Sequence, residues 1–199
     1  MKSFYHHSQT SQDVFIVLHG SGGRETDLLH VVGEIDDSLS VLGIRGDVSN
    51  NNKGFRYFNR PVDGQFDYAE IQENTDRIAS FIKEQVGTGR SIHLVGYSNG
   101  ANLAISLLLS HSDLFDSAIL LHPSHLFSHV EAKSLDNVAV FITSGARDVI
   151  TTPGDVMAVK KQLSDNGAQV TVKLTDYGHE LTDEEIKQAT SWWNTEVKA

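Results

Sequence analysis

A serine flanked by glycines is the first feature of this sequence that could do chemistry. Ser98 lies at the centre of Gly96-Tyr97-Ser98-Asn99-Gly100, which matches the pattern Gly-x-Ser-x-Gly. In that pattern a sharp turn between a strand and a helix holds the serine hydroxyl at the tip of a sheet, where it can attack a carbonyl carbon. The competing interpretation is an ordinary strand-helix turn with an incidental serine.

The sequence on either side of this turn has the required patterns. Residues 92–95 predict a strand, and an apolar helical run begins at Asn99. A side chain at position 96 or 100 would collide where the strand and the helix approach each other. We expect the backbone N–H of Asn99 to point toward a developing oxyanion.

A base for the serine is expected later in the chain, because the order in this kind of site is serine, acid, histidine. Of ten histidines only His179 lies beyond residue 150, directly after the last predicted strand. Asp148, just after the predicted strand 138–142, is the preferred acid, and Asp176 is its rival. Asp176 shares a short loop with His179, whereas a separate loop orients an imidazole better. The alternative for His179 is a surface-loop histidine.

A glycine-rich loop follows the first long predicted strand, in Leu18-His19-Gly20-Ser21-Gly22-Gly23. Glycines allow backbone N–H groups to turn inward without a Cβ in the way. We therefore predict the N–H of Ser21 as the second oxyanion donor, with Gly20 and Gly22 beside the substrate. A phosphate-binding loop is disfavoured, since the segment lacks both the Lys-Ser/Thr of a Walker loop and the Gly-x-Gly-x-x-Gly spacing.

Three further residues are candidates for contact with a substrate. Arg56 and Phe58 belong to the segment 47–67, a long loop rich in Asn and Gly. Long loops in compact domains are often functional, although the same two side chains would also serve to anchor the loop by packing. His122 is the third candidate.

Several histidines are spaced in a way that would suit a metal ion. They are His122, His125 and His129, and Glu131 is the only carboxylate near them. We interpret them as part of a polar loop at the rim of the site. The sequence predicts neither a metal nor an organic cofactor.

The elements that must position these residues alternate between short β-rich runs and helices. Several runs are apolar at every position, which is typical of strands buried on both faces of a parallel sheet. The predicted strands are residues 14–18, 41–44, 92–95, 118–121, 138–142 and 170–174. The βαβα order predicts a doubly wound α/β fold, with a mostly parallel central sheet and helices on both faces.

Helices are predicted by apolar spacing and by capping residues. Thr182 and Glu185 form a capping box for the last helix, and Pro153 suits the first turn of another. Residues 101–109 predict a central buried helix. The inner faces of the two amphipathic helices are predicted as Ile71, Thr75, Ile78 and Ile82, and as Ile186, Ala189, Trp193 and Val197.

Length and composition limit the function classes. The 199 residues suit one catalytic domain, residues 1–199, and leave little room for a cap domain. The net charge of -10 disfavours nucleic acid and anionic membranes as partners. The absence of cysteine excludes a cysteine nucleophile.

Without a signal peptide or a long apolar run, we expect a cytoplasmic protein with no membrane insertion. The oligomeric state is left open, and a homodimer is one option.

Taken together, these segments resemble the phospholipase/carboxylesterase family of α/β-hydrolases, most closely its small bacterial carboxylesterases. The matching segments are residues 18–23, 45–48, 56–58, 96–102, 121–123, 145–148 and 178–181. The resemblance implies an α/β-hydrolase fold without a cap, hydrolysis of small carboxylic esters, and the triad Ser98, Asp148 and His179. Acyl-protein thioesterases of the same family usually carry Gln where this chain has Asn99 and Leu where it has Ser21. This difference argues against protein depalmitoylation.

The predicted function is a serine carboxylesterase that hydrolyses a small-molecule ester through an acyl-enzyme. The nearest alternative is the same chemistry on a thioester, a lysophospholipid or a lactone. The alternative from another class is a binding protein that has kept the fold and lost catalysis.

Overall fold

The computed structural model describes residues 1–128, 130 and 133–198. The strands within these residues are β1 (Ser3–His6), β2 (Val14–Leu18), β3 (Ser40–Ile44), β4 (Val48–Ser49), β5 (Phe55–Arg56), β6 (Ile92–Tyr97), β7 (Ser117–Leu121), β8 (Ala139–Gly145) and β9 (Gln169–Thr175). The α-helices are α1 (Leu29–Ile35), α2 (Tyr68–Val86), α3 (Asn99–Ser110), α4 (Pro153–Asp165) and α5 (Asp183–Trp192). A short 3₁₀ turn spans Ser112–Leu114, and a π-helical turn, Trp193–Val197, extends α5.

Seven strands form one sheet in the order β1-β3-β2-β6-β7-β8-β9. Strand β1 pairs with β3 in antiparallel register, and the other neighbours in the sheet are parallel. Strands β4 and β5 form a separate small hairpin. This arrangement confirms the predicted α/β-hydrolase fold with its mostly parallel sheet.

Helices cover both faces of the sheet. All five residues of β2 are buried, because alternate side chains enter two different apolar clusters. Val14, Ile16 and Leu18 belong to the cluster that contains residues of α2, α3 and α4, whereas Phe15 and Val17 belong to the cluster that contains residues of α1 and α5. The continuous apolar runs of the sequence follow from this double cover.

Capping residues begin the amphipathic helices, and the capping box predicted at Thr182 and Glu185 is present. The side chain of Asp67 accepts a hydrogen bond from the N–H of Glu70 at the start of α2. Thr152 with Asp155, and Thr182 with Glu185, form capping boxes for α4 and α5. Helix α3 is buried along almost its whole length, yet it has only 12 residues. In the described part of the chain, no helix is both long and apolar enough to cross a membrane.

Some elements differ from the sequence predictions. Strand β1 and helix α1 were not predicted, because β1 is an edge strand with a half-exposed pattern and α1 has only seven residues. The segment 47–67, predicted as a loop, contains the β4–β5 hairpin and an isolated bridge between Val62 and Gln65. The predicted inner face of the last helix changes at Trp192, where the helix turns from α to π geometry and both Trp192 and Trp193 become buried.

Candidate active site

The turn after β6 holds Ser98 in a strained conformation. Its φ of 52° and ψ of -112° lie in a region that non-glycine residues rarely adopt. The turn is tight, because a Cβ at position 100 would lie 2.1 Å from the carbonyl oxygen of Leu18. A Cβ at position 96 would lie 2.6 Å from the carbonyl oxygen of Gly100. The glycines therefore permit the close approach of α3 to β2 and β6 that projects the serine from the sheet.

Three loops at the carboxyl end of the sheet bring Ser98, His179 and Asp148 into one hydrogen-bonded chain. They follow β6, β9 and β8 respectively. The Nε2 atom of His179 lies 3.0 Å from Ser98 Oγ, and its Nδ1 atom lies 2.7 Å from Asp148 Oδ2. The hydroxyl of Tyr97 donates a hydrogen bond of 2.6 Å to the carbonyl oxygen of His179, which ties the histidine loop to β6.

Asp148 is buried and accepts hydrogen bonds from several donors. Its Oδ1 accepts from the N–H groups of Ile150 and Thr151, and its Oδ2 accepts from the hydroxyl of Thr151. Burial by itself would raise the pKa of this carboxyl, but the bonds from Thr151, His122 and His179 outweigh it and hold the pKa well below its usual range. Asp148 is therefore an anion at neutral pH. The rival acid, Asp176, is exposed, and none of its hydrogen bonds within the described residues reaches His179.

The two predicted oxyanion donors belong to elements held in place by buried polar contacts. Asn99 is the first residue of α3, so its N–H has no partner within the helix. Its side-chain Oδ1 accepts from the N–H of Tyr57 at 2.9 Å. In the part of the chain that the structure describes, the N–H of Ser21 donates no hydrogen bond. Both N–H groups are thus free to bind an anionic oxygen.

His19 fixes the loop that carries Ser21. Its Nε2 accepts the N–H of Gly46 at 3.0 Å, and its Nδ1 lies 2.7 Å from the carbonyl oxygen of Gly20. Burial lowers the pKa of this imidazole, so it is neutral with its proton on Nδ1. The ring therefore bridges two loops and sets the direction of the peptide between Gly20 and Ser21.

A cavity of about 740 Å³ opens beside Ser98 and His179. Ser21, Arg56, Phe58 and Asn99 line this cavity, as their proposed roles require. Gly20 and Gly22 line an adjoining cleft rather than the main cavity. The described residues form no separate domain above the opening, so the site is accessible from solvent.

Comparison with known proteins assigns this arrangement to a family. The family model described as the dienelactone hydrolase family matches residues 45–190. The chain belongs to the dienelactone hydrolase family. It is 38% identical over 202 residues to MhqD of Bacillus subtilis, a protein named as a hydrolase, and the match covers 99% of this chain and 100% of that protein.

Solved structures similar to this dienelactone hydrolase family member include carboxylesterases. The carboxylesterase of Bacillus cereus superposes with a TM-score of 0.91 at 33% identity, covering 98% of this chain and 93% of that chain. YahD, whose structure contains malic acid, superposes with a TM-score of 0.87 at 28% identity, covering 97% and 98% of the two chains. These neighbours confirm the resemblance to carboxylesterases and identify the chain as a hydrolase.

Two arginines give the cavity of this family member a positive wall. The guanidinium groups of Arg56 and Arg60 form no ion pair within the described residues, and Arg56 Nε is buried without a hydrogen-bond partner. Burial, followed by the positive charge of Arg60, lowers the pKa of Arg56. The guanidinium nevertheless stays charged at neutral pH, because an arginine pKa starts above 12. Sequence reasoning predicted Arg56 and missed Arg60.

The structure corrects the interpretation of His122 as a substrate-contacting residue at the rim. Its side chain is 0% exposed and lies beneath the site, with Nδ1 2.8 Å from Asp148 Oδ2. A buried ring behind the acid cannot touch a substrate in the cavity. Of the other histidines of that group, His125 is half-buried, and its N–H donates to Asp155. His129 and Glu131 lie outside the described residues.

A metal ion could be held only by displacing bonds of the hydrogen-bonded chain. Within the described residues, His122, Asp148 and His179 are the one group of three whose ligand atoms lie close together, within 4.8 Å of one another. Both imidazoles already approach the same oxygen, Asp148 Oδ2, at 2.7 and 2.8 Å. Such contacts are ordinary hydrogen-bond distances. The arrangement is thus suited to moving a proton between a hydroxyl and an imidazole.

Sequence reasoning also missed Thr151, Tyr97 and Glu185. Thr151 gave no signal beyond its place three residues after Asp148. Tyr97 lies inside the serine motif, at a position where the motif allows any residue. Glu185 was explained fully by its capping box, although only its Oε2 serves the cap and its Oε1 faces His122.

Proposed function

We propose that this chain is a serine carboxylesterase. Ser98 Oγ attacks the ester carbonyl while His179 Nε2 takes its proton, and Asp148 holds and stabilises the resulting imidazolium. His179 then gives the proton to the leaving alcohol. Water hydrolyses the acyl-enzyme by the same route in reverse. The single observation that carries this proposal is the hydrogen-bonded chain from Ser98 through His179 to Asp148.

The N–H groups of Asn99 and Ser21 bind the oxyanion of the tetrahedral intermediate. Such donors act where negative charge develops, and the loss of one typically costs a hydrolase about 10²–10³-fold in kcat. The N–H of Asn99 follows the nucleophile in the chain, and the Ser21 loop is held by His19. Neither contribution depends on a side chain at position 21 or 99.

The substrate best suited to the cavity is a small ester that carries a carboxylate. Arg56 and Arg60 have no internal counter-ion among the described residues, although the chain has a net charge of -10. An unpaired arginine in a cavity favours a planar anion, which it can bind through two parallel N–H groups. The malic acid of YahD is an anion of this kind in a related protein. Phe58 and Leu126 offer apolar contact for the remainder of the molecule.

The test of the reaction is the rate at which p-nitrophenyl acetate is hydrolysed. Ser98→Ala should lose nearly all turnover while its circular dichroism stays that of the parent protein. Ser110→Ala, at the far end of the same helix, is the control and should keep its activity. Near-normal hydrolysis by Ser98→Ala would refute the assignment of the nucleophile.

The test of substrate charge compares two p-nitrophenyl esters of equal length, the hemisuccinate and the butyrate. The ratio of their kcat/KM values should favour the hemisuccinate and fall about tenfold in Arg56→Gln, since a charged hydrogen bond is lost. Lys161→Gln removes the same charge from the surface and should leave the ratio unchanged. A ratio that Arg56→Gln does not alter would exclude a carboxylate subsite at this arginine.

A further inference from the structure

Behind Asp148 lie two buried residues, His122 and Glu185, that the proposed reaction does not use. His122 follows β7 with a φ of 52°, so it is a second strained non-glycine residue beside the site. Its Nδ1 is 2.8 Å from Asp148 Oδ2, and its Nε2 is 3.0 Å from Glu185 Oε1. Asp148, His122 and Glu185 thus form a buried row, and all three side chains are 0% exposed.

The surroundings of His122 define its charge. Both ring nitrogens face a carboxylate oxygen, and a neutral imidazole has only one N–H to offer. A neutral ring would turn a lone pair toward a buried anion, whereas an imidazolium faces both anions with protons. The Nε2 atom approaches Glu185 Oε1 as an ion pair without the geometry of a hydrogen bond.

Four titratable groups face this ring from the elements packed around it: Asp148 from the loop after β8, Glu185 from α5, His179 from the loop after β9, and Tyr97 from β6. Burial, followed by the charges of Asp148 and Glu185, raises the pKa of Tyr97 to about 12, so Tyr97 is neutral. Burial alone would lower the pKa of His122, but its bonds to Glu185 and Asp148 raise it above the ordinary value. The row therefore holds two anions that both favour the charged form of the ring between them.

We propose that His122 and Glu185 are a positioning pair that fixes the Asp148 carboxylate and sets the pH range in which the enzyme is active. This inference rests on the proposed function and extends it to residues that never touch the substrate. The imidazolium of His122 orients Asp148 Oδ2 toward His179. Glu185 balances the buried positive charge and is itself held by Thr182 at the start of α5.

The charge of His122 has a predictable effect on catalysis. Its ring centroid lies 5.1 Å from that of His179. Two positive rings at this distance repel each other, so the charge of His122 bears on the acid limb of the kcat/KM profile. Removal of the His122 charge should therefore move the acid limb of the kcat/KM profile to higher pH.

The test uses the double variant His122→Asn/Glu185→Gln. The asparagine amide can still donate to Asp148, and no buried charge is left without a partner. We expect kcat to fall with little change in KM, and the acid limb of kcat/KM to move upward in pH. The loss of the Glu185 charge offsets only part of this shift, because Glu185 lies at Nε2, across the His122 ring from Asp148. The control is His111→Asn, which breaks a surface imidazole–carboxylate pair with Asp76 and should leave the profile unchanged.

Two results would overturn the proposal. One is a double variant that loses activity while the acid limb of its kcat/KM profile stays in place. That outcome would mean that His122 and Glu185 have only a structural role. The other comes from ¹⁵N NMR of the imidazole nitrogens in the wild-type protein, a measurement that needs no folded variant. At about pH 7, where an unperturbed histidine is mostly neutral, both nitrogens of His122 should be protonated, and a neutral tautomer would contradict the proposal. The NMR result stands even if esterase activity is absent, so failure of the proposed function is distinguishable.

Discussion

At the scale of residues, the two carboxylate oxygens of Asp148 have different hydrogen-bond partners. Oδ1 accepts the N–H groups of Ile150 and Thr151 at 2.8 and 2.9 Å, which fixes the plane of the carboxylate. Oδ2 accepts from the hydroxyl of Thr151 and faces both His179 and His122. The backbone bonds to Oδ1 and the His122 contact to Oδ2 together orient the carboxylate toward His179.

Replacement of Asp148 by Asn should impair catalysis severely. An amide that donates to His179 Nδ1 would hold the imidazole in the wrong tautomer, and kcat should fall by about 10³–10⁴-fold. Steady-state hydrolysis of p-nitrophenyl acetate measures this loss. Asp176→Asn, a change to the exposed rival acid, should have little effect. A larger loss in the Asp176 variant would mean that the acid has been wrongly assigned.

The limit of sequence reasoning is also visible at single residues. Ser98, Asp148 and His179 were predictable because their order and their places after strands follow a known rule. The position of His122 beneath Asp148 was not predictable, because it depends on β7 lying between β6 and β8 and on a backbone turn with positive φ. Glu185 was hidden because a capping box already accounts for its presence.

At the scale of elements, the C-terminal turn is anchored to the loop after α1 by one buried carboxylate. Asp36 Oδ2 accepts from Trp193 Nε1 at 3.1 Å and from Lys198 Nζ at 2.7 Å. Burial would raise the pKa of Asp36, but hydrogen bonds from Lys198, Ser38 and Trp193 lower it to about 2 from an ordinary value of 3.8. The ionised form therefore stabilises the fold above about pH 4, and this contribution is lost as pH falls through 2.

Asp36→Asn should accordingly lower stability at neutral pH by about 1–2 kcal/mol. The difference in Tm between the variant and the parent protein should shrink as the pH is lowered from 7 toward 2. Thermal denaturation followed by circular dichroism at several pH values measures it. Asp37→Asn, an exposed neighbour, is the control. A Tm difference that does not change with pH would show that Asp36 acts through packing and not through its charge.

The strands were predicted more reliably than the other elements, for a physical reason. Residues of β2 and β7 are buried on both faces, so their apolar runs are unbroken and easily recognised. Strand β1 alternates between half-buried and exposed positions, and it owes its place to pairing with β3. The strands β4 and β5 have two residues each, which is too short to produce a recognisable alternation of apolar and polar residues. Elements made by tertiary contacts were therefore the ones that sequence patterns missed.

At the scale of the whole molecule, the site is an open cavity on a small catalytic core. The cavity of about 740 Å³ lies at the carboxyl end of the sheet, and the described residues place no helical cap over it. The cavity is lined by Arg56, Arg60, Asp155 and several other polar side chains, so a long acyl chain would find little apolar cover in it. Each methylene that found apolar cover would add about 0.8 kcal/mol of binding, and one that stays in water adds almost none.

The dependence on acyl length follows from this geometry. In a series of p-nitrophenyl esters, kcat/KM should be highest for short acyl groups and should decline toward the palmitoyl ester. Measurements below the critical micelle concentration of each ester avoid the effects of aggregation. A kcat/KM that rises steadily from acetyl to palmitoyl would instead indicate a long apolar channel, and would favour the thioesterase or lysophospholipase alternative.

The central claim is that Ser98 is activated as a nucleophile by His179, and covalent labelling tests it most directly. A fluorophosphonate reacts preferentially with an activated serine, and the adduct can be located by mass spectrometry of peptides. We predict one phosphonyl group per chain, on the peptide that contains Ser98, and no labelling of Ser98→Ala. An adduct on another residue, or equal labelling of the Ser98→Ala variant, would contradict the account.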